Sequence, residues 1–272
     1  MPPRHPALPQ RRRGGLAAAR RQPLVGAAAP HGGAGHLAPA ALAPAPLTIR
    51  LKAGYKVFIA GQTGSGKSVL ATHLASRFDR AVVFDPKWGD PSAVLPNAAT
   101  LHSAREAAAH IRRREGPGRV IYQPDAADNA HIVESWDAIC AAVWTLGPVG
   151  IAIVVHELPF LANAYTIGPH FKQLITAGRL FGITVILVSQ RPRGIPVFAR
   201  SESVHWVCFK LKSPDDLETM ADVMGAPVRD TPLAVPHGYW YLGPDDVLRQ
   251  GEPIPVNRRP DAAPAPPGAA DR

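Results

Sequence analysis

Gly61-Gln62-Thr63-Gly64-Ser65-Gly66-Lys67-Ser68 is the stretch whose residue types and spacing most directly specify chemistry. It matches G-x-x-x-x-G-K-[ST], a loop built to cradle phosphate. Its glycines let backbone N–H groups turn inward, and the N-terminus of a following helix adds a positive dipole end. Lys67 is placed to bridge phosphates, and the Ser68 hydroxyl to ligate Mg²⁺. The expected ligand is therefore ATP with Mg²⁺, held along Gly61 to Val69. Two further groups suit the reaction of such a ligand. Glu157 follows an apolar run at 150–155 and can orient and deprotonate an attacking water. Gln190 follows another apolar run at 183–188. Its neutral amide can hydrogen-bond both a γ-phosphate oxygen and water without adding charge.

These groups need strands and helices to position them. Residues 55–60 read as a buried strand before the loop, and 69–78 as a helix after it, with Leu70, Leu74 and Phe78 on one face. Residues 81–84 form a short apolar strand ending in Asp85-Pro86-Lys87. A helix is predicted over 103–114, with Ser103 and Glu106 as a capping box. A strand follows at 119–122, then a helix over 129–146 closed by Gly147-Pro148. The run 150–155 lacks polar alternation, as a strand covered on both faces should. A helix over 169–181 precedes the strand 183–188. Strands at 204–211 and 239–242 and a helix at 214–224 complete the set. Strands alternating with helices imply an α/β fold with a parallel sheet and right-handed crossovers.

Composition sets outer bounds. The chain has 272 residues, 46% of them hydrophobic, enough for one sizeable core. Cys140 and Cys208 lie in apolar surroundings and read as reduced core residues of a cytoplasmic protein. No apolar run is long enough to span a bilayer, so no membrane insertion is expected. The histidines show no pairing at metal-ligand spacing, and Trp136, Trp144, Trp206 and Trp240 read as core. The net charge of +9 is uneven: residues 1–50 hold seven arginines and no acid. Residues 1–45, rich in Ala, Pro, Gly and Arg, are expected to be disordered, as is the tail from 253. The folded unit is then 46–252.

Several of these segments together resemble the FtsK/HerA superfamily of DNA-pumping ATPases. They are Gly61–Ser68, Asp85-Pro86-Lys87, the apolar strand with Glu157, Gly178-Arg179 before Gly182-Ile183, and Ser189-Gln190-Arg191-Pro192. The resemblance covers about 50–212. It implies a RecA-like P-loop NTPase fold with a mostly parallel central sheet flanked by helices. It also implies a homo-hexamer ring that threads double-stranded DNA, in a bacterial or virus-infected host cell. It marks Arg179 as a candidate arginine finger reaching a neighbour's γ-phosphate, with Arg191 or Arg193 as alternatives. In one place the chain departs from the family. The strand that ends there in Asp-Glu ends here in His156-Glu157. In the family that Asp holds a Mg²⁺-bound water; a neutral His156 imidazole can do so without the negative charge, so either Mg²⁺ affinity is weaker, or Asp85 compensates from the adjacent strand end, or hydrolysis is impaired.

A motor domain of about 200 residues most resembles a genome-packaging ATPase of membrane-containing viruses, or a mobile-element relative. A conjugation or filamentous-phage-assembly ATPase, a small-molecule kinase and a non-hydrolysing nucleotide-binding scaffold remain alternatives.

Overall fold

The structure is a computed structural model and describes residues 45, 47–88, 95–113, 118–163 and 166–255. The tails expected to be disordered lie almost wholly outside the described residues. Every residue of β1 (Lys56–Ala60) and of β5 (Ile151–Val155) is buried, which explains the unbroken apolar character of β5 and of Val57–Ala60. The other strands are β2 (Arg80–Phe84), β3 (Ala99–Leu101), β4 (Gly118–Tyr122), β6 (Thr184–Ser189), β7 (His205–Cys208), β8 (Tyr239–Leu242) and β9 (Leu248–Gly251). Among the described residues they form one sheet, ordered β3-β4-β2-β5-β6-β1-β7-β8-β9. The strands from β3 to β7 in that order run parallel, and β8 and β9 are antiparallel additions. This is the mostly parallel α/β arrangement that the alternation of elements predicts.

The helices are α1 (Lys67–Ala75), α2 (Ala104–Arg112), α3 (Ala126–Ala130), α4 (Ile132–Trp144), α5 (Pro169–Ala177), α6 (Val197–Ser201), α7 (Pro214–Met224) and α8 (Pro227–Asp230). Successive strand residues point to opposite faces. Val57, Ile59, Val83 and Val154 share one face with Leu70 and Leu74 of α1. Phe58, Phe84, Ile153 and Val185 share the other with Ile111 of α2, Trp136 and Ile139 of α4, and Phe171 and Leu174 of α5. Trp136 anchors that second layer, its ring centroid 5.3 Å from Phe84 and 5.9 Å from Phe171. Each such pair adds about 0.5–1.5 kcal/mol beyond area burial.

The structure corrects several local expectations. Ser103 stands at the α2 N-cap in an extended conformation, but its side chain makes no capping bond. Asp128 takes that role, its Oδ2 accepting from the Ala104 N–H at 2.6 Å. The single helix expected over 129–146 is two, broken at His131, whose backbone (φ −126°, ψ 43°) is not helical. The helix expected to reach residue 181 ends at Ala177 and continues as a 3-10 turn over Gly178–Phe181. β3 and β9 were not expected, being three residues long and largely polar, respectively.

Candidate functional site

The phosphate loop hangs between the two strands that flank β1. The Gly61 N–H donates to the Ser189 carbonyl of β6 at 3.2 Å, and the Gln62 N–H to the Lys210 carbonyl beyond β7 at 2.8 Å. Phe209, 3% exposed, forms the floor. A Cβ on Gly61 would stand 2.6 Å from the Phe209 Cβ, so only glycine passes there. Gly66 is the left-handed N-cap of α1 (φ 106°), a conformation that again favours glycine. Lys67 is 6% exposed, and its Nζ donates to the Gln62 carbonyl at 2.7 Å, inside the loop. Ser68 and Val69 follow in the first turn of α1, with Thr63, Gly64 and Ser65 making the outer bend.

Because β6 separates β1 from β5, its tip lies between the loop and Glu157. A chain of side-chain hydrogen bonds crosses that gap. The Thr63 hydroxyl donates to Gln190 Oε1 at 2.8 Å. Gln190 Nε2 donates to Glu157 Oε1 at 2.5 Å. Lys87 Nζ donates to the same carboxylate oxygen at 2.6 Å, with the Glu157 side chain 14% exposed and that of Lys87 45%. The arrangement joins the loop, the amide and the acid that the sequence singled out, and adds Lys87. Glu157 adopts a left-handed backbone (φ 59°, ψ 61°), which for a non-glycine residue costs about 1–3 kcal/mol. Such strain is commonly retained where it aims a functional side chain.

His156 and Asp85 stand side by side at the ends of β5 and β2, where the His156 N–H donates to the Phe84 carbonyl at 3.1 Å. They are 5% and 2% exposed. Asp85 Oδ1 accepts from the Lys87 N–H at 3.1 Å, and Oδ2 from Gln123 Nε2 at 2.9 Å. Among the described residues no cluster of three or more His, Cys, Asp or Glu could ligate a metal alone. That donor set fits Mg²⁺, which keeps several waters and binds through few protein groups and substrate phosphates. Ser68 would hold it directly, with Asp85 and His156 placed to bond its waters.

The three candidate fingers differ in setting. Arg179 lies in the 3-10 turn before β6, at the opposite end of the strands from the loop, with its guanidinium 5.6 Å above the Tyr55 ring. It is exposed, and so is Leu180, at 85%. Arg191 is ion-paired through Nε to Asp216 at 2.9 Å, and Arg193 to Asp215, both in the first turn of α7. Neither Arg191 nor Arg193 can leave for a neighbour without breaking an ion pair.

Sequence reasoning missed the contacts of Lys87 with Glu157 and of Thr63 with Gln190. Asp85-Pro86-Lys87 figured there only as a pattern; a lysine three residues beyond a strand end beside that of Glu157 was the available signal. It also missed a cleft of about 610 Å³ on the β7–β8 side of the loop, walled by α8 and residues 231–238.

Over 204 residues, 68% of this chain and 81% of the relative, the sequence is 30% identical to the DNA packaging ATPase P9 of Enterobacteria phage PRD1. The genome packaging NTPase B204 of Sulfolobus turreted icosahedral virus 2, solved with ATP-gammaS, matches with a TM-score of 0.57 at 14% identity, over 75% of this chain and 100% of its own. The plasmid coupling protein TrwB, solved with ADP and Mg²⁺, matches with a TM-score of 0.53 at 12% identity, over 78% and 88%. These two likenesses are of fold. No family model matches the chain. The P-loop at the end of β1, between β6 and β7, and the identity with the phage protein settle the family: this chain belongs with the DNA packaging ATPases typified by P9, P-loop ATPases of the FtsK/HerA type.

Proposed function

We propose that the protein hydrolyses ATP to drive double-stranded DNA into a viral particle, working as a ring of identical subunits. One observation carries the hydrolytic part: the unbroken hydrogen-bond chain Thr63–Gln190–Glu157, which ties the phosphate loop to a carboxylate held for proton abstraction. In this reading Lys67 turns from the Gln62 carbonyl to the bound phosphates. The second Nε2–H of Gln190 donates to a γ-phosphate oxygen while the first stays on Glu157, and so reports the phosphate's presence to the acid. The acid takes the proton of the attacking water, worth about 10²–10⁴ in rate. Lys87 holds the carboxylate in place from the β2 side. When bound, Mg²⁺ neutralises charge on the phosphate oxygens. Relation to P9 and the fold shared with B204 support DNA as the cargo.

The test is phosphate release from ATP with and without duplex DNA at low salt. Stimulation by duplex, abolished by Lys67→Ala, is the expected result. Release indifferent to DNA but dependent on a small acceptor would replace this reading with a kinase. No release under any condition would leave a nucleotide-binding scaffold.

A further inference from the structure

Among the described residues, two buried Lys or Asp side chains have no part in the site above. Lys56 starts β1, at the end away from the loop, and pairs with Glu202 at 3.3 Å. Asp216 stands in the first turn of α7 and is 1% exposed. Both of its oxygens hold the segment that follows Gln190. Oδ2 is ion-paired to Arg191 Nε at 2.9 Å, and Oδ1 accepts from the Arg193 N–H, 23 positions earlier in the chain, at 3.2 Å. Asp215 holds the Arg193 guanidinium beside it. On the near side of Gln190, the Ser189 Oγ accepts from the Arg191 N–H at 3.1 Å, and the Ser189 carbonyl from the Gly61 N–H at 3.2 Å. Gln190 thus stands between two anchored residues.

That anchoring matters because Gln190 is only partly buried, so packing alone does not aim its amide. The amide must span from Thr63 to Glu157 through bonds of 2.8 and 2.5 Å. Such bonds weaken steeply when misaligned. β6 stops at Ser189 and a 3-10 turn starts at Pro192, so Gln190 and Arg191 belong to neither element. The aim of the amide therefore depends on where the next residues are fastened. An ion pair with a buried partner is a poor source of stability, because taking the carboxylate out of water offsets most of the attraction. An apolar side chain would seat α7 as well. What the carboxylate adds is one fixed place for two donors of one segment. The Arg191 side chain is 73% exposed and that of Asp216 2%, so the arginine comes to the acid. The N-terminal dipole of α7 favours the charge there.

We propose that Asp216 is a positioning residue for hydrolysis: it fastens Arg191 and the Arg193 backbone so that the Gln190 amide meets Glu157 and the γ-phosphate together. The proposal rests on the role given to Gln190 above, and the experiment separates the two. On the full chain, turnover is measured with Mg²⁺, and ATP affinity by calorimetric titration in chelator so that nothing is hydrolysed. Asp216→Asn, which keeps the shape and removes the charge, should lower kcat about 10- to 10²-fold while ATP affinity holds within about twofold. Arg191→Ala alters an exposed side chain and should cause a similar loss; it decides the matter should Asp216→Asn not fold. Mixing Arg191→Ala with Glu157→Gln protein should restore nothing, because the amide and the acid serve one site. In a Gln190→Ala background, followed by single-turnover phosphate release, neither change should slow the reaction further, since the group they aim is gone. An Asp216 that only seats α7 would slow both backgrounds by the same factor. That result would overturn the proposal. So would wild-type turnover in both Asp216→Asn and Arg191→Ala, an ATP affinity that falls in step with kcat, or recovery on mixing, which would make Arg191 a finger. Wild-type turnover in Gln190→Ala would overturn the role of Gln190 itself, and the proposal would fall with it.

Discussion

The two flanks of the phosphate loop are chemically unlike. Toward β6 and β5 it meets Gln190, Glu157 and Lys87, three polar side chains sharing one carboxylate oxygen or its partner amide. Toward β7 and β8 it meets a cleft lined by leucine, valine, proline and tryptophan side chains together with Lys210, Arg229, Asp230 and His237. Hydrogen-bond donors and a base are useful where charge develops in a transition state. Apolar contact favours ground state and transition state alike, so it strengthens binding without raising turnover. One loop thus faces two unlike surroundings, and the strand order sets them on opposite sides of β1.

The strongest challenge to a two-flank account is Arg179, which sits at the N-terminal end of β6, away from the loop. From there it can act only on a neighbour's site. Arg179→Ala is expected to lower kcat by about 10³–10⁵ with ATP affinity nearly unchanged. Mixing that variant with Glu157→Gln protein should partly restore turnover, because some interfaces then pair an intact acid with an intact arginine. Demonstrably mixed rings that stay inactive would discard Arg179 and return attention to Arg191 and Arg193.

Within one subunit, Glu157→Gln should lower kcat by about 10²–10⁴ and alter ATP affinity little. A matching loss of affinity, seen in the same titration, would mean that the two flanks are not separable. Lys87→Ala should cost up to about 10²-fold in kcat by misplacing the acid, with Lys87→Arg recovering much of it. Equal rates for Lys87→Ala and wild type would show that the contact is idle. The smallest effect belongs to the cleft flank. His205, between Tyr55 and Tyr241, has its pKa lowered to about 4 by burial, against an opposing pull from Asp245. The unfolded chain protonates it near 6.5, so the stability held above that pH is lost as pH falls from about 6.5 toward 4. The melting temperature should decline across that window, and less so in His205→Gln.

Much of this was legible in the chain because parallel strands buried on both faces declare themselves as unbroken apolar runs, as at 151–155 and 185–188. The loop, Glu157 and Gln190 were legible too, since each sits where such a run stops. What escaped depended on contacts distant in sequence. Lys87 meets Glu157 across 70 positions, and Asp128 caps a helix 24 positions earlier. β9 was hidden because its Gln250, 4% exposed, is buried by bonding the Ala234 N–H rather than by apolar character. The cleft walls at 228–238 carry no periodic pattern, and only folding against β7 turns them into a surface.

The left-handed backbone of Glu157 has a further consequence for anyone evolving this protein. A residue that prefers that conformation, such as glycine, would relax the turn and gain part of the strain energy. Selection for heat resistance alone would therefore tend to erase the acid, enriching sturdier chains that no longer hydrolyse anything. Any search for a tougher motor must score turnover beside survival, because at this one position the two pull in opposite directions.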